Sequence, residues 1–189
     1  MDVIKKLRDM TGISVMQCKK ALEEAGGDLA KAEVIIKKRS AEAAEKKAER
    51  ELKAGIVGTY VHDNAIGSMV VLSCESDFVA KNPEFSQLAR DIAMQVAATD
   101  PTYTVMLEIA PEAKQAAIAV FEKEVVGKPA EMQAKILEGK LASHFRDQVL
   151  LEQPFIKDES KTVRNLLDEA TQKFGERIEV SKFVRLSAR

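Results

Sequence analysis

The hydrophobic pattern of the chain changes its period near residue 55, and this change limits the folds that are possible. Before it, residues 2–37 carry apolar positions at helical spacing, interrupted twice by glycines. After it, residues 55–62 and 66–74 are rich in Val and Ile and are separated by an Asp-Asn turn signal. The chain is therefore predicted to begin with three short helices and to continue into a β-hairpin.

Local capping signals place the boundaries of the first helices. Ser14 followed by Gln17 has the spacing of a capping box at a helix start, and Asp28 is a good N-cap for the next helix. Residues 1–39 are therefore predicted to form a three-helix domain. Residues 40–54 are helix-forming and of mixed charge with little apolar content, which predicts a solvated helical linker.

The rest of the chain, residues 55–189, carries both periods and is predicted to form one α+β domain. Residues 177–186 alternate apolar and polar positions, so they are expected to complete a small three-stranded antiparallel sheet with the hairpin. An extended segment is expected at 149–156, because Pro154 blocks a helix there. The predicted helices are 83–99, 111–126, 129–149 and 160–174, with a break at Gly127.

A sheet of this size with helices on one face leaves its other face and its edges uncovered. Such a small sheet is marginally stable unless those surfaces are covered. Pairing of the surfaces between two copies of the chain would cover them. We therefore expect a homodimer.

The charge balance argues against nucleic acid as a direct partner. The chain has 29 basic and 30 acidic residues and a net charge of −1, whereas proteins that bind nucleic acid through its phosphates carry a basic excess. A run of about 18 apolar residues and a signal-peptide pattern are both missing, so we expect no membrane association and a cytoplasmic location. Cys18 and Cys74 are expected to be buried thiols in a reducing compartment.

The sequence offers little for catalysis. His62 and His144 are the only histidines, and neither a Ser-His-Asp or Cys-His arrangement nor a glycine-rich phosphate-binding motif is present. Scattered methionines, Met10 and Met16 among them, are expected to fill the core. We expect a protein that is not an enzyme and that uses no cofactor and no metal ion.

One segment, residues 73–85 (SCESDFVAKNPEF), allows two interpretations. It places Phe78 between the predicted end of a strand and the predicted start of a helix. In the first interpretation, Phe78 covers an edge of the core and Asp77 only forms the turn. In the second, Phe78 is an apolar wedge on a rigid loop, flanked by Asp77 and Lys81, and it contacts a partner. The pattern alone leaves both open.

Three stretches of the chain resemble the elongation factor Ts family. They are LRDMTGISVMQCKKAL at 7–22, ESDFVAK at 75–81 and LLEQPFIKD at 150–158, and they occur in the family's order. Ser76 stands where Thr is usual and Gln17 where Asp is usual, and both keep hydrogen-bonding capacity. The short chain is similar to compact members, which form homodimers bound to two GTPase molecules.

The resemblance implies a guanine nucleotide exchange factor that binds elongation factor Tu in its GDP form and promotes GDP release. In the family, an N-terminal domain of the ubiquitin-associated type docks on the nucleotide domain of the GTPase. The matching contact residues here are Arg8, Val15, Met16 and Lys20. The second signature enters near the nucleotide, displaces the magnesium ion and disturbs the phosphate loop. The residues of this signature here are Asp77, Phe78, Val79, Ala80 and Lys81.

Two other classes of function are compatible with parts of this pattern. A ubiquitin-associated-type adaptor would bind some other protein through residues 1–40 alone, and the 75–81 segment would then be dispensable. An enzyme with a pocket between the two domains is a third class, but no catalytic pattern in the sequence supports it.

Overall fold

Three helices form the first part of the protein, whose computed structural model describes residues 2–125 and 129–188. They are α1 (Asp2–Thr11), α2 (Val15–Glu24) and α3 (Leu29–Glu45). The predicted caps are present: Ser14 Oγ accepts from Gln17 N at 3.4 Å, and Asp28 Oδ1 accepts from Lys31 N at 3.1 Å. The helices enclose a small core made of Leu7, Ile13, Cys18, Ala21, Leu22, Ala32 and Ile36.

Helix α3 is longer than predicted. It continues without a break to Glu45, so it includes residues 40–45 of the predicted linker. Ser40 is only 1% exposed, and its hydroxyl hydrogen-bonds to Gln172 Oε1 in helix α8 (Val163–Phe174). The predicted linker is therefore not free of contacts at its start, where Ser40 packs on α8. Its second part, residues 46–53, forms turns and irregular structure rather than the predicted helix.

The sheet has the predicted three antiparallel strands, in the order β1–β2–β5. Its strands are β1 (Ala54–His62), β2 (Ile66–Cys74) and β5 (Glu179–Ser187). In the hairpin turn Asp63 and Asn64 both have positive φ, 47° and 54°. Asp and Asn adopt positive φ more readily than other non-glycine residues, and residues 63–65 connect His62 to its partner Ile66.

Helix α5 (Pro83–Thr99) covers the inner face of the sheet, and the single helical turn α4 (Asp77–Ala80) leads into it. A Cβ atom added to Gly58 would lie 2.5 Å from the backbone of Ala89, so the glycine permits the close approach of α5 to β1. Ser68 Oγ also donates to Ala93 O of α5 at 2.6 Å. The main core beneath the sheet includes Val70, Leu72, Phe85, Ile92, Val96, Leu150, Val163 and Val180.

The opposite face of the sheet is apolar and exposed. Met69 lies directly opposite Val184 in the β2–β5 register, so their side chains project from the same face. We call this surface the outer sheet face. Its exposed apolar side chains are Val57 (59%), Val61 (63%), Met69 (45%), Val184 (38%) and Leu186 (65%).

Helices α6 (Pro111–Val125) and α7 (Ala130–Phe145) lie against each other and have a small core of their own with Ile109, Ala117 and Val149. Helix α7 ends at Phe145, earlier than predicted, and short 3-10 turns follow it. The predicted break at Gly127 lies outside the described residues. Within the described ranges, no helix has the length and apolar character needed to cross a bilayer.

Helix α8 begins at Val163 rather than at residue 160, because Thr162 caps it. Thr162 Oγ1 accepts from Asn165 N at 3.2 Å, and Asn165 Oδ1 accepts from Thr162 N at 3.1 Å. The preceding residues form a small hairpin of β3 (Pro154–Phe155) and β4 (Asp158–Thr162). The predicted extended segment at 149–156 is wrong for Leu150–Glu152, which form a 3-10 turn, and the β3–β4 hairpin was not predicted.

Candidate functional site

The 75–81 turn, which joins β2 to α5, presents an exposed phenylalanine. Phe78 is 84% exposed, whereas its neighbours Val79 and Ala80 are 3% and 9% exposed. Because α4 is a single helical turn, its buried side faces the core and its other side faces solvent. The interpretation of Phe78 as a cover of the core is therefore wrong. Phe78 projects from a short helix and not from an irregular loop.

Capping residues hold both ends of α4. Ser76 Oγ accepts from Val79 N at 3.5 Å, so the serine in place of the usual threonine still serves as an N-cap. Asn82 N donates to Val79 O at 2.9 Å, and Asn82 Oδ1 accepts from Glu84 N at 2.9 Å at the start of α5. The backbone on both sides of Phe78 is thereby fixed by hydrogen bonds.

A carboxylate from the far end of the chain binds the start of the 75–81 turn. Glu176 follows the end of α8, where Gly175 has φ 75°. One of its carboxylate oxygens, Oε2, accepts from the backbone N–H groups of Glu75 and Ser76, both at 3.0 Å. Its other oxygen, Oε1, accepts from Ser76 Oγ at 2.5 Å. Hydrogen bonds to an ionised acceptor are about twice as strong as neutral ones.

A second contact joins the 75–81 turn to the connection between α8 and β5, and here the turn supplies the carboxylate. Glu75 Oε1 accepts from Arg177 N at 2.6 Å, and this hydrogen bond holds the pKa of the Glu75 carboxyl below its ordinary value. Glu75 also pairs with Arg50 at 3.3 Å, and Arg177 Nη1 donates to Arg50 O at 2.7 Å. The end of β2, the α8–β5 connection and the segment after α3 are thus joined at one point.

The charges beside Phe78 point into solvent. Asp77 and Lys81 form an ion pair at 3.7 Å, and their side chains are 81% and 80% exposed. Such an exposed pair contributes little to stability, so both charges are available to a partner. Beneath the turn, Cys74 is buried and its Sγ donates to Ser76 O at 3.3 Å. Burial raises the pKa of this thiol, and Cys74 and Cys18 are both free, buried cysteines as predicted.

The four N-terminal residues assigned to a contact surface are all exposed. Met16 and Lys20 are one helical turn apart on α2, so they share a face of that helix. Val15 is 50% exposed and Met16 is 69% exposed, and Arg8 lies on the exposed side of α1. The expectation that methionines fill the core is wrong for Met16 and also for Met10, which is 46% exposed.

A cleft of about 430 Å³ lies between α3 and the α+β core. Its lining includes Glu45, Arg164, Asp168 and Arg177, and burial raises the pKa of the Asp168 carboxyl. Neither His nor Cys occurs among the lining residues that the structure describes. The polar side chains that line the cleft are charged groups and threonine hydroxyls.

Sequence reasoning missed Glu176 and Arg177, although their hydrogen bonds hold the 75–81 turn. Both residues lie about a hundred positions further along the chain. A Gly-Glu-Arg sequence after a helix is an ordinary helix end, and no local signal connects it to residue 75. The sequence predicted a three-stranded antiparallel sheet but not which strand lies in its centre. The observed β2–β5 pairing brings the start of β5 beside the end of β2.

Comparisons with known proteins agree with this architecture and its signatures. The family described as "Elongation factor TS" matches residues 14–189. Elongation factor Ts of Thermodesulfovibrio yellowstonii is 46% identical over 184 residues, which cover 97% of this chain and 92% of the relative. The Thermotoga petrophila protein of the same name is 46% identical, covering 98% and 94%.

A longer relative contains the same unit. In a chloroplastic polyprotein of EF-Ts from Oryza sativa subsp. japonica, 42% identity extends over 97% of this chain but over only 17% of the polyprotein. The family match and the near full-length relatives lead to one assignment. The chain belongs to the elongation factor Ts family of translation elongation factors, whose general role is nucleotide exchange.

Proposed function

We propose that this chain is a guanine nucleotide exchange factor that binds elongation factor Tu in its GDP form and releases the GDP. The observation that carries the proposal is the 84% exposure of Phe78 on a turn held by Glu176 and two caps. A large apolar side chain held rigidly in solvent is unfavourable for an isolated protein, but it suits an anchor that enters a partner's pocket.

In the proposed mechanism, Phe78 inserts beside the nucleotide site of the GTPase and Asp77 and Lys81 meet polar groups around the entry. The insertion shifts a helix of the GTPase, displaces the magnesium ion and disturbs the phosphate loop. Val79 and Ala80 act from within the core, where they hold α4 in place. No bond is made or broken, so the chain needs no catalytic base.

The energetics require a second contact surface. Factor and nucleotide favour different conformations of the GTPase, so each weakens the binding of the other by the same factor. A thousandfold weakening corresponds to about 4 kcal/mol of coupling, whereas burial of one Phe side chain contributes about 1.5–3 kcal/mol. We assign the second surface to the three-helix, ubiquitin-associated-like domain, whose exposed residues Arg8, Val15, Met16 and Lys20 would dock on the nucleotide domain of the GTPase.

The active form in this proposal is a homodimer that binds two GTPase molecules in the cytoplasm. The outer sheet face supports the dimer, because exposed apolar patches of this kind mark protein interfaces. Two chains that pair these faces would leave both 75–81 turns free, since α4 leads into the helix on the inner face of the sheet.

The test is release of a fluorescent GDP analogue from elongation factor Tu, with the chain present at a tenth of the GTPase concentration or less. We expect release of all the bound analogue, because one exchange factor acts repeatedly. Release limited to the amount of added chain, or no acceleration with a cognate GTPase, would refute exchange activity.

A binding measurement separates the exchange factor from an adaptor. An adaptor would bind through residues 1–40 alone, so those residues would capture the partner as tightly as the whole chain does. We expect instead that residues 1–40 bind the GTPase more weakly than the whole chain does, because they lack Phe78.

A further inference from the structure

Every hydrogen bond that Glu176 makes in the structure described goes to the first two residues of the 75–81 turn. Two backbone N–H groups and one hydroxyl are bound by this single carboxylate. Glu176 is itself partly exposed and does not belong to the main core. Its contacts therefore bear on the geometry of the turn more than on the packing of the protein.

We infer that Glu176 is a positioning residue for nucleotide exchange, an inference that rests on the function proposed above. Its carboxylate fixes the start of α4 and thereby the direction in which Phe78 leaves the surface. Ser76 connects the two: its hydroxyl donates to Glu176 and accepts from Val79 N, the residue after Phe78.

The physical reason is preorganisation. A turn that moved freely would lose conformational entropy when Phe78 became ordered in the partner, and this loss would weaken the interaction. A displaced Phe78 would also fit its pocket less well, because anchor side chains act through close packing in a desolvated pocket. The hydrogen bonds of Glu176 restrict the turn before the partner arrives. The conformational entropy of the turn is therefore lost when the chain folds and not when it binds the GTPase.

The position of Glu176 also relates the turn to the N-terminal domain. The adjacent Arg177 donates to Arg50 O, and Arg50 pairs with Glu75 at 3.3 Å. The segment that follows α3 is therefore held, through Arg50, by Glu75 and Arg177, which also hold the start of the 75–81 turn. The two proposed contact surfaces are held in one arrangement by these contacts.

The variants Glu176→Ala and Glu176→Gln test the inference. Alanine removes all three acceptor contacts, and we expect the rate of GDP release at saturating factor to fall roughly tenfold. Glutamine keeps an oxygen for the two N–H groups and can donate to Ser76 Oγ, so we expect it to restore most of that rate. The control Glu152→Gln removes one carboxylate charge, that of the ion pair with Arg164, away from the turn and should have no effect.

The rate at saturation distinguishes positioning from loss of folded protein. A smaller folded fraction raises the concentration of factor needed for half-saturation but leaves the saturating rate unchanged. A Glu176→Ala variant with an unchanged saturating rate would overturn the inference. A glutamine variant as slow as the alanine variant would overturn it as well, because the carboxylate would then act through its charge.

A double-mutant cycle with Phe78→Ala completes the test. If Glu176 acts through Phe78, Glu176→Ala has little further effect once Phe78 is truncated. If the effects of the two substitutions on the activation free energy of GDP release are fully additive, Glu176 does not act through Phe78. If the unmodified chain releases no GDP, the proposed function itself fails. If Phe78→Ala slows release and Glu176→Ala does not, only the positioning role fails.

Discussion

Phe78 and Val79 are neighbours in the chain and face opposite ways. Val79 is packed in the core at 3% exposure, and this packing requires Phe78, one position earlier on the same helical turn, to face solvent. The pattern of the sequence indicated a turn at this place but not which of the two apolar residues would be inside. The deciding contacts come from Glu176, a residue that no local pattern connects with the turn.

The Glu75 carboxyl gives the turn a pH dependence. The hydrogen bond from Arg177 N lowers the pKa of Glu75 in the folded chain. The resulting stability is fully present above the ordinary glutamate pKa and is lost as pH falls through the lowered pKa of the folded chain. We expect Glu75→Gln to lower the free energy of unfolding by about 1 kcal/mol at pH 7. Urea denaturation across a series of acidic pH values measures this difference, which should shrink as the pH falls.

At the scale of elements, local signals fixed the starts of helices well and their lengths less well. Ser14 and Asp28 cap α2 and α3 as predicted, because an N-cap is a property of a few adjacent residues. A helix was predicted through residue 54, whereas α3 ends at Glu45, and the contact of its last turns with α8 through Ser40 and Gln172 was not predicted. Helix propensity and local charge do not indicate which distant helix a segment packs against.

The packing of α5 on the sheet depends on Gly58. A methyl group there would meet the Ala89 backbone at 2.5 Å, so helix and strand would have to separate. We expect Gly58→Ala to destabilise the protein by about 1–3 kcal/mol, as overpacking does. In α7, a Cβ added to Gly139 meets nothing within 4 Å. Gly139→Ala is thus the control, and an equal loss in both variants on urea denaturation would contradict this explanation.

At the scale of the whole molecule, the α+β class and the three-stranded antiparallel sheet were predictable from the change of period, but the order of the strands was not predicted. The homodimer was predicted from the uncovered sheet, and it stays a prediction that the outer sheet face supports. The orientation of the 75–81 turn was not predictable, because it requires β2, β5 and the segment after α3 to meet at one corner.

The outer sheet face makes the dimer testable. Met69 lies on the central strand of the sheet, and a charge there would be buried in a face-to-face dimer at a cost of several kcal/mol. We expect sedimentation to give a dimer for the unmodified chain and a folded monomer for Met69→Glu. Val120→Glu, an equivalent change at a 58% exposed position on α6, should leave the dimer intact. A Met69→Glu variant that remains dimeric would exclude this interface.

The most direct experiment compares GDP release from elongation factor Tu by the unmodified chain and by Phe78→Ala, both at saturating concentration in stopped flow. Leu107→Ala, a change at an 88% exposed apolar side chain outside the turn, is the control. Loss of the buried Phe contact, about 1.5–3 kcal/mol, predicts a rate roughly 10- to 150-fold lower for Phe78→Ala and an unchanged rate for the control. If Phe78→Ala releases GDP as fast as the unmodified chain, the exposed phenylalanine does not drive exchange.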